Sequence, residues 1–148
     1  MLELIFTTVL VANALWFGAA FRVFWLKGPL TSNMLIRREE RDSPLRETVI
    51  ASGRFLGGMN LGFSVFSVLL ILFLDHFSQP IQIFVCCIAF CVAHGSQFAG
   101  NVPPARQERR GETPVWPVLR GPMLFIFVVD LIMAAVNGGV ALIALGSS

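Results

Sequence analysis

The chain has 148 residues, of which 55% are hydrophobic and only 14% are charged. An ordinary soluble domain carries about 25% charged residues, so this composition excludes that class. The hydrophilic stretches are too short to fold by themselves. We therefore expect residues 1–148 to form a single integral membrane domain surrounded by the lipid bilayer.

Four apolar runs of about 20 residues predict four transmembrane helices, at about 4–26, 49–74, 81–99 and 122–145. Glu3 precedes the first run and Lys27 follows it. This charge order is the reverse of a secretory signal, so we interpret the run as a retained helix. Pro103 and Pro104 are expected to end the third span. The predicted fold is an all-α bundle of four membrane helices.

The basic residues predict the orientation of the bundle. Nine of the eleven Lys and Arg residues lie in two hydrophilic loops, 27–48 and 105–121. The positive-inside rule therefore places both loops in the cytoplasm and both termini outside. Gly28–Pro29 is expected to end the first helix, and loop residues follow it. We expect the protein to lie in the inner (plasma) membrane of a bacterium. The basic loops alone do not indicate nucleic-acid binding.

Small and polar residues form stripes on two of the spans. Steps of four and three residues place side chains on one helical face, and small residues on such a face let membrane helices approach closely. The stripe on the second span comprises Gly53, Gly57, Asn60, Ser64 and Ser67. The stripe on the fourth span comprises Asp130, Ala134, Asn137, Ala141 and Ala144. Gly58 and Gly62 offer a second close-approach face, which favours a packing or scaffold subunit that binds copies of itself or other membrane subunits.

One ionisable residue from each span is expected in the cytoplasmic half. Helix rise places Arg22, Arg54, His94 and Asp130 about 6, 7, 10 and 12 Å from the cytoplasmic boundary. A buried charge in a membrane needs a partner, and we expect Asp130 to pair with Arg54 or Arg22. Such a layer is either an ion pair that fixes helix order or a polar pocket. The candidate binding residues are Arg54, Asn60, His94, Gln97 and Asp130.

The alternative functions use the same polar residues. A binding protein for a lipid or small molecule, or an enzyme, would use a pocket lined by the candidate residues; a transporter would need broken helices and a full polar path. His94 and Asp130 are only two metal ligands, where a catalytic metal needs about three. Cys87 and Cys91 share a face with His94, but apolar surroundings make a thiol inert. We predict no metal, no cofactor and no catalytic residue.

The second span opens with the sequence R-F-L-G-G-M-N-L-G at Arg54–Gly62. This stretch, with the four spans and the chain length, resembles small four-helix bacterial membrane proteins of unknown function. It also resembles sterol-synthesis scaffold proteins of the eukaryotic endoplasmic reticulum. The second resemblance implies a non-catalytic partner of other membrane proteins, and it transfers no functional residue to this chain.

Overall fold

Helices build the fold of this chain, whose computed structural model describes residues 1–147. The helices are α1 (Leu2–Phe21), α2 (Gly28–Leu35), α3 (Leu45–Leu72), α4 (Pro80–Arg109) and α5 (Gly121–Leu145). A π-helical turn, Arg22–Leu26, extends α1. All except α2 are long and apolar enough to cross a membrane. The predicted all-α bundle of four apolar helices is confirmed.

The first tight helix pair consists of α1 and α3. Glycines make this approach possible: a Cβ on Gly57 would lie 2.9 Å from the Cβ of Trp25, and one on Gly18 would lie 3.3 Å from Ser64 Oγ. The Ser64 hydroxyl donates a hydrogen bond to the Ala14 carbonyl across the same contact, at 2.9 Å. The small-residue stripe of α3 therefore faces α1.

The second tight pair consists of α4 and α5. A Cβ on Gly138 would lie 3.3 Å from the Sγ of Cys91. A short turn joins α3 to α4, yet each packs mainly on another helix, so this hairpin is splayed. Aromatic rings fill the space between the two pairs: Phe63 stacks on Phe17 with centroids 5.0 Å apart and lies 6.1 Å from Phe90.

The prediction that Pro103 and Pro104 end the third span is wrong, because α4 continues to Arg109. Proline removes the N–H that would bind the carbonyl four residues earlier. Those carbonyls belong to Ala99 and Gly100, which are both exposed, so solvent can satisfy them. At 1.5 Å per residue, 30 helical residues extend about 45 Å, beyond a hydrocarbon core of about 30 Å.

The prediction that loop residues follow Gly28–Pro29 is also wrong in part, because α2 lies within the first hydrophilic loop. Gly28–Pro29 ends the first span as expected but also begins the new helix, where proline is well suited to the first turn. A Cβ on Gly28 would lie 2.6 Å from Ile50 Cγ2, so glycine lets α2 begin against α3. The Thr31 hydroxyl then donates to the Val23 carbonyl at 3.0 Å and fixes α2 beneath the π-helical turn.

Candidate functional site

A buried polar network joins α1, α4 and α5 in the interior of the bundle. His94 is at its centre: its Nε2 lies 2.9 Å from Asn13 Oδ1 and its Nδ1 lies 3.1 Å from Asp130 Oδ1. The Trp16 indole N–H donates to the same Asp130 oxygen at 3.0 Å. Asn13 donates to Asn137 Oδ1 at 3.0 Å, and Asn137 donates to the Met133 carbonyl at 2.8 Å. The network thus fixes the relative positions of three helices.

The packing around His94 seals the network. The side chains of His94 and Asp130 are 0% exposed. The Phe17 ring stacks on the imidazole with centroids 4.5 Å apart and an angle of 19° between the planes. Both ring nitrogens have partners, which leaves neither of them open to a substrate. The other Asp130 oxygen, Oδ2, is buried with no hydrogen-bond partner.

The prediction that Asp130 pairs with Arg54 or Arg22 is wrong. The side chain that contacts its Oδ1 from α4 is His94, at 3.1 Å, and both arginines are exposed. Arg54 lines an outer groove with Trp25. An arginine near a helix end can keep its guanidinium in water while its stem covers apolar surface. The expected pocket shared by Arg54, His94, Gln97 and Asp130 therefore does not form.

We call the end of the bundle that carries the two hydrophilic loops, 27–48 and 105–121, the loop side. The first cavity there lies between α1, α2 and α5 and has a volume of about 210 Å³. Its walls are apolar apart from the indole of Trp16 and the amide of Gln97. Because the Trp16 N–H is bound to Asp130, this cavity and the buried network share one side chain.

The second cavity is a groove of about 330 Å³ between α3 and α4, the two helices of the splayed hairpin. Asn60, Ser96 and Gln97 are its polar lining residues. Asn60 is 1% exposed, and its Nδ2 donates to the Leu56 carbonyl at 2.7 Å. Its Oδ1 is buried with no partner. A lining residue of the groove thus has an unused hydrogen-bond acceptor.

The third cavity, of about 640 Å³, lies at the loop end of α3. Apolar side chains from the π-helical turn, α2, α3 and the two loops form most of it. Ser43, another lining residue, has a buried Oγ without a partner. Trp116 closes one side, where its indole N–H donates to Asn101 Oδ1 at 2.9 Å. Leu56 lines both this cavity and the groove, so the two are neighbours.

The Glu108 carboxylate holds the residues before α5 against the end of α4. Its Oε2 accepts the backbone N–H groups of Val118 and Leu119, both at 2.9 Å. Its Oε1 pairs with Arg120 Nε at 3.2 Å. These contacts hold the irregular residues before α5 and hence the Trp116 wall of the third cavity.

The predicted packing residues of α3 have different positions. Gly53 and Gly57 are buried against the first span and α2. A Cβ on Gly58 would lie 3.3 Å from the Trp25 ring, so this chain already covers it. A Cβ on Gly62 would meet nothing within 4 Å. Gly58 and Gly62 were expected to form a second close-approach face, and only Gly62 of these two is open to a partner helix.

The predicted packing residues of α5 face the interior. Asn137 belongs to the polar network, and Ala141 is 0% exposed. Ala134 lies opposite Gly95, where an added Cβ would be 4.0 Å from the alanine Cβ. The α5 stripe therefore serves contacts within this chain.

Asn13 and Trp16 are the site residues that the sequence reasoning missed. Asn13 is 13 residues before the end of the first span and Asn137 is 15 residues after the start of the fourth. Helix rise places both about 20 Å from the loop side. This match in depth was a usable signal for Asn13. Helix rise also places Trp16 about 15 Å from the loop side, which is too deep for an interfacial tryptophan.

No protein-family model, no curated protein and no solved structure matches this chain. Within residues 1–147, no group of three His, Cys, Asp or Glu side chains lies close enough to share a metal ion. Function is therefore argued from the cavities and the network alone.

Proposed function

We propose that the protein binds an amphiphilic molecule with a hydroxyl-bearing head in the loop-side cavities between its two helix pairs. The observation that carries this proposal is the buried, unpartnered Oδ1 of Asn60, a residue that lines the groove between α3 and α4. An unpaired buried acceptor costs about 1–3 kcal/mol, and a ligand hydroxyl would remove that cost.

The neighbouring cavity supports the same ligand chemistry. Its volume of about 640 Å³ lies in the usual range of small-molecule sites, roughly 300–1,000 Å³. Its polar lining residues are Glu40, Ser43, Thr48 and Ser52, and most of its other lining side chains are apolar. Hydroxyl groups bind a head that both donates and accepts hydrogen bonds, and Leu56 lines both this cavity and the groove, so one molecule can occupy the two.

Photocrosslinking with a monoacylglycerol that carries a diazirine in its acyl chain tests the proposal. We expect labelling of Leu56 or Met59 that excess unlabelled monoacylglycerol suppresses and phosphatidylcholine, which has no hydroxyl, does not. Ala89→Phe should block labelling because Ala89 lines the groove. Ala99→Phe, at another exposed alanine of α4, is the matched control. Equal competition by both lipids, or equal labelling of both variants, contradicts the proposal.

Asn60→Leu tests the acceptor itself. Loss of one hydrogen bond of about 1 kcal/mol corresponds to about fivefold weaker competition by monoacylglycerol. Unchanged competition would exclude Asn60 from ligand binding. The positive-inside rule predicts that the loop-side cavities face the cytoplasm. The membrane that we expect is the plasma membrane of a bacterium.

A second candidate function is that of a non-enzymatic packing subunit in a membrane assembly. The open position Gly62 favours it, because the exposed side chains Phe55, Met59 and Phe66 surround it at helical spacing on the outer face of α3. A small residue between large ones lets a partner helix approach closely. Size analysis in mild detergent should show a dimer or larger species that Gly62→Leu disrupts. A monomer at every concentration contradicts this function.

The transporter alternative has no comparable support. Secondary transporters bind substrate at helices broken near mid-membrane. Here α3 is continuous through Asn60, and α5 is continuous through Asn137. Asn137 binds Asn13 within the buried network instead of lining an open path.

A further inference from the structure

We propose that His94 and Asp130 form a buried proton-binding site: the pair holds one proton between Nδ1 and Oδ1 and carries no net charge. The inference rests on the direction of each hydrogen bond in the network, and it is independent of the proposed ligand.

A backbone carbonyl fixes one end of the network. The Met133 carbonyl can only accept, so the Asn137 atom 2.8 Å away is the amide nitrogen. Asn137 Oδ1 then faces Asn13 and accepts from its Nδ2 at 3.0 Å. The remaining amide atom of Asn13, Oδ1, lies 2.9 Å from His94 Nε2. An amide oxygen can only accept, so His94 Nε2 carries a hydrogen.

An indole fixes the other end of the network. Trp16 Nε1–H can only donate, so Asp130 Oδ1 accepts from it at 3.0 Å. The same oxygen lies 3.1 Å from His94 Nδ1. A neutral imidazole protonated at Nε2 has a lone pair at Nδ1. Beside an ionised Asp130, two lone pairs would then face each other without a hydrogen between them.

One additional proton resolves this contact in either of two forms. An imidazolium can donate from Nδ1 to a carboxylate, or a carboxylic acid can donate from Oδ1 to Nδ1. Both forms have a net charge of zero, which suits a site whose two side chains are 0% exposed, because an uncompensated charge in a membrane interior is costly. Among the described residues, the other side chains that hydrogen-bond to the pair or stack on it are Asn13, Trp16 and Phe17, none of which is charged.

Nitrogen NMR of His94 in lipid bilayers tests the proposal. The chain has two histidines, so His76→Gln leaves His94 as the single ¹⁵N-histidine signal. We expect protons on both ring nitrogens, or a proton on Nε2 with Nδ1 accepting a hydrogen bond. The second form must be accompanied by an infrared carbonyl band of a protonated carboxyl group that Asp130→Asn removes. A neutral ring protonated at Nδ1, or one protonated at Nε2 beside an ionised Asp130, overturns the proposal.

Asn137→Leu tests the hydrogen-bond chain without touching the pair. This change removes the group that orients Asn13, so the Asn13 amide is free to turn and present its nitrogen to His94 Nε2. The ring should then convert to the neutral form protonated at Nδ1. Unchanged His94 signals in the folded variant would show that the chain of amides does not set the position of the proton, and the inference would fail.

Discussion

Asp130→Ala should destabilise the bundle more than Asn137→Ala, although both residues belong to the same polar network. Asp130 Oδ1 is the acceptor for the Trp16 indole N–H at 3.0 Å and the partner of His94 Nδ1 at 3.1 Å. Truncation leaves both groups buried without a partner. Asn137→Ala removes the acceptor of one Asn13 N–H and one side-chain donor to the Met133 carbonyl, so it is the natural comparison.

The expected magnitudes differ by about a factor of two. An unpaired buried polar group costs about 1–3 kcal/mol in soluble proteins. Hydrogen bonds between membrane helices contribute about 0.6 kcal/mol on average and about 1.7 at most. On the membrane scale, two orphaned groups predict a loss of about 1.2–3.4 kcal/mol for Asp130→Ala. One orphaned group predicts about 0.6–1.7 kcal/mol for Asn137→Ala.

Reversible unfolding in one detergent measures both losses as free energies. Asp130→Asn serves as the control, because an amide oxygen can still accept the Trp16 N–H, and it should lose less than half as much as Asp130→Ala. Trp16→Phe combined with Asp130→Ala should be less destabilising than the sum of the single variants, since both remove the same hydrogen bond. Equal losses for Asp130→Ala and Asn137→Ala, or strict additivity of the pair, would refute this reasoning.

Three further predictions concern packing, the second loop and orientation. Gly57→Ala should cost about 1–3 kcal/mol because the new Cβ overpacks the contact with the first span, whereas Gly62→Ala should change the unfolding free energy by less than about 0.5 kcal/mol. Glu108→Ala should speed tryptic cleavage of the second loop, because the carboxylate no longer holds backbone N–H groups there. In intact cells, an impermeant maleimide should label Ser78→Cys and leave Thr113→Cys unlabelled, because the basic loops are expected in the cytoplasm.

The controls for these predictions use neighbouring positions. Glu112→Ala, which removes only the 3.9 Å contact with Arg110, should leave the cleavage rate unchanged. Equal stability of the two glycine variants would show that the close approach of α1 and α3 does not require glycine. Labelling of both cysteine variants in intact cells would contradict a fixed orientation of the bundle.

The sequence predicts the spanning helices because their length and apolarity follow directly from bilayer thickness. It mispredicts α2 and the end of α4 for one shared reason: proline was interpreted as a helix end. Pro29 instead occupies the first turn of α2, where its missing N–H has no intrahelical partner to lose. Pro103 and Pro104 lie near the end of α4, and the carbonyls they free belong to exposed residues.

The site was predicted only in part. The depth of a residue in the membrane can be calculated from the sequence, but the side of the bundle on which it lies cannot. His94 and Asp130 share a depth and do meet. Arg22 and Arg54 have similar depths but lie on exposed faces. Their long side chains reach water without a buried partner, so the electrostatic argument that assigned them to Asp130 did not apply. Asn13 was missed because only ionisable residues were compared by depth.

Crystals grown from a monoolein mesophase would test the ligand proposal most directly, because that lipid is itself a hydroxyl-headed amphiphile. The account predicts elongated density in the groove between α3 and α4, with a hydroxyl oxygen about 3 Å from Asn60 Oδ1. The acyl chain should extend along Leu56 and Phe63, two lining residues of the groove. A groove closed by its own side chains, or an Asn60 Oδ1 bound to a protein donor, would contradict the account.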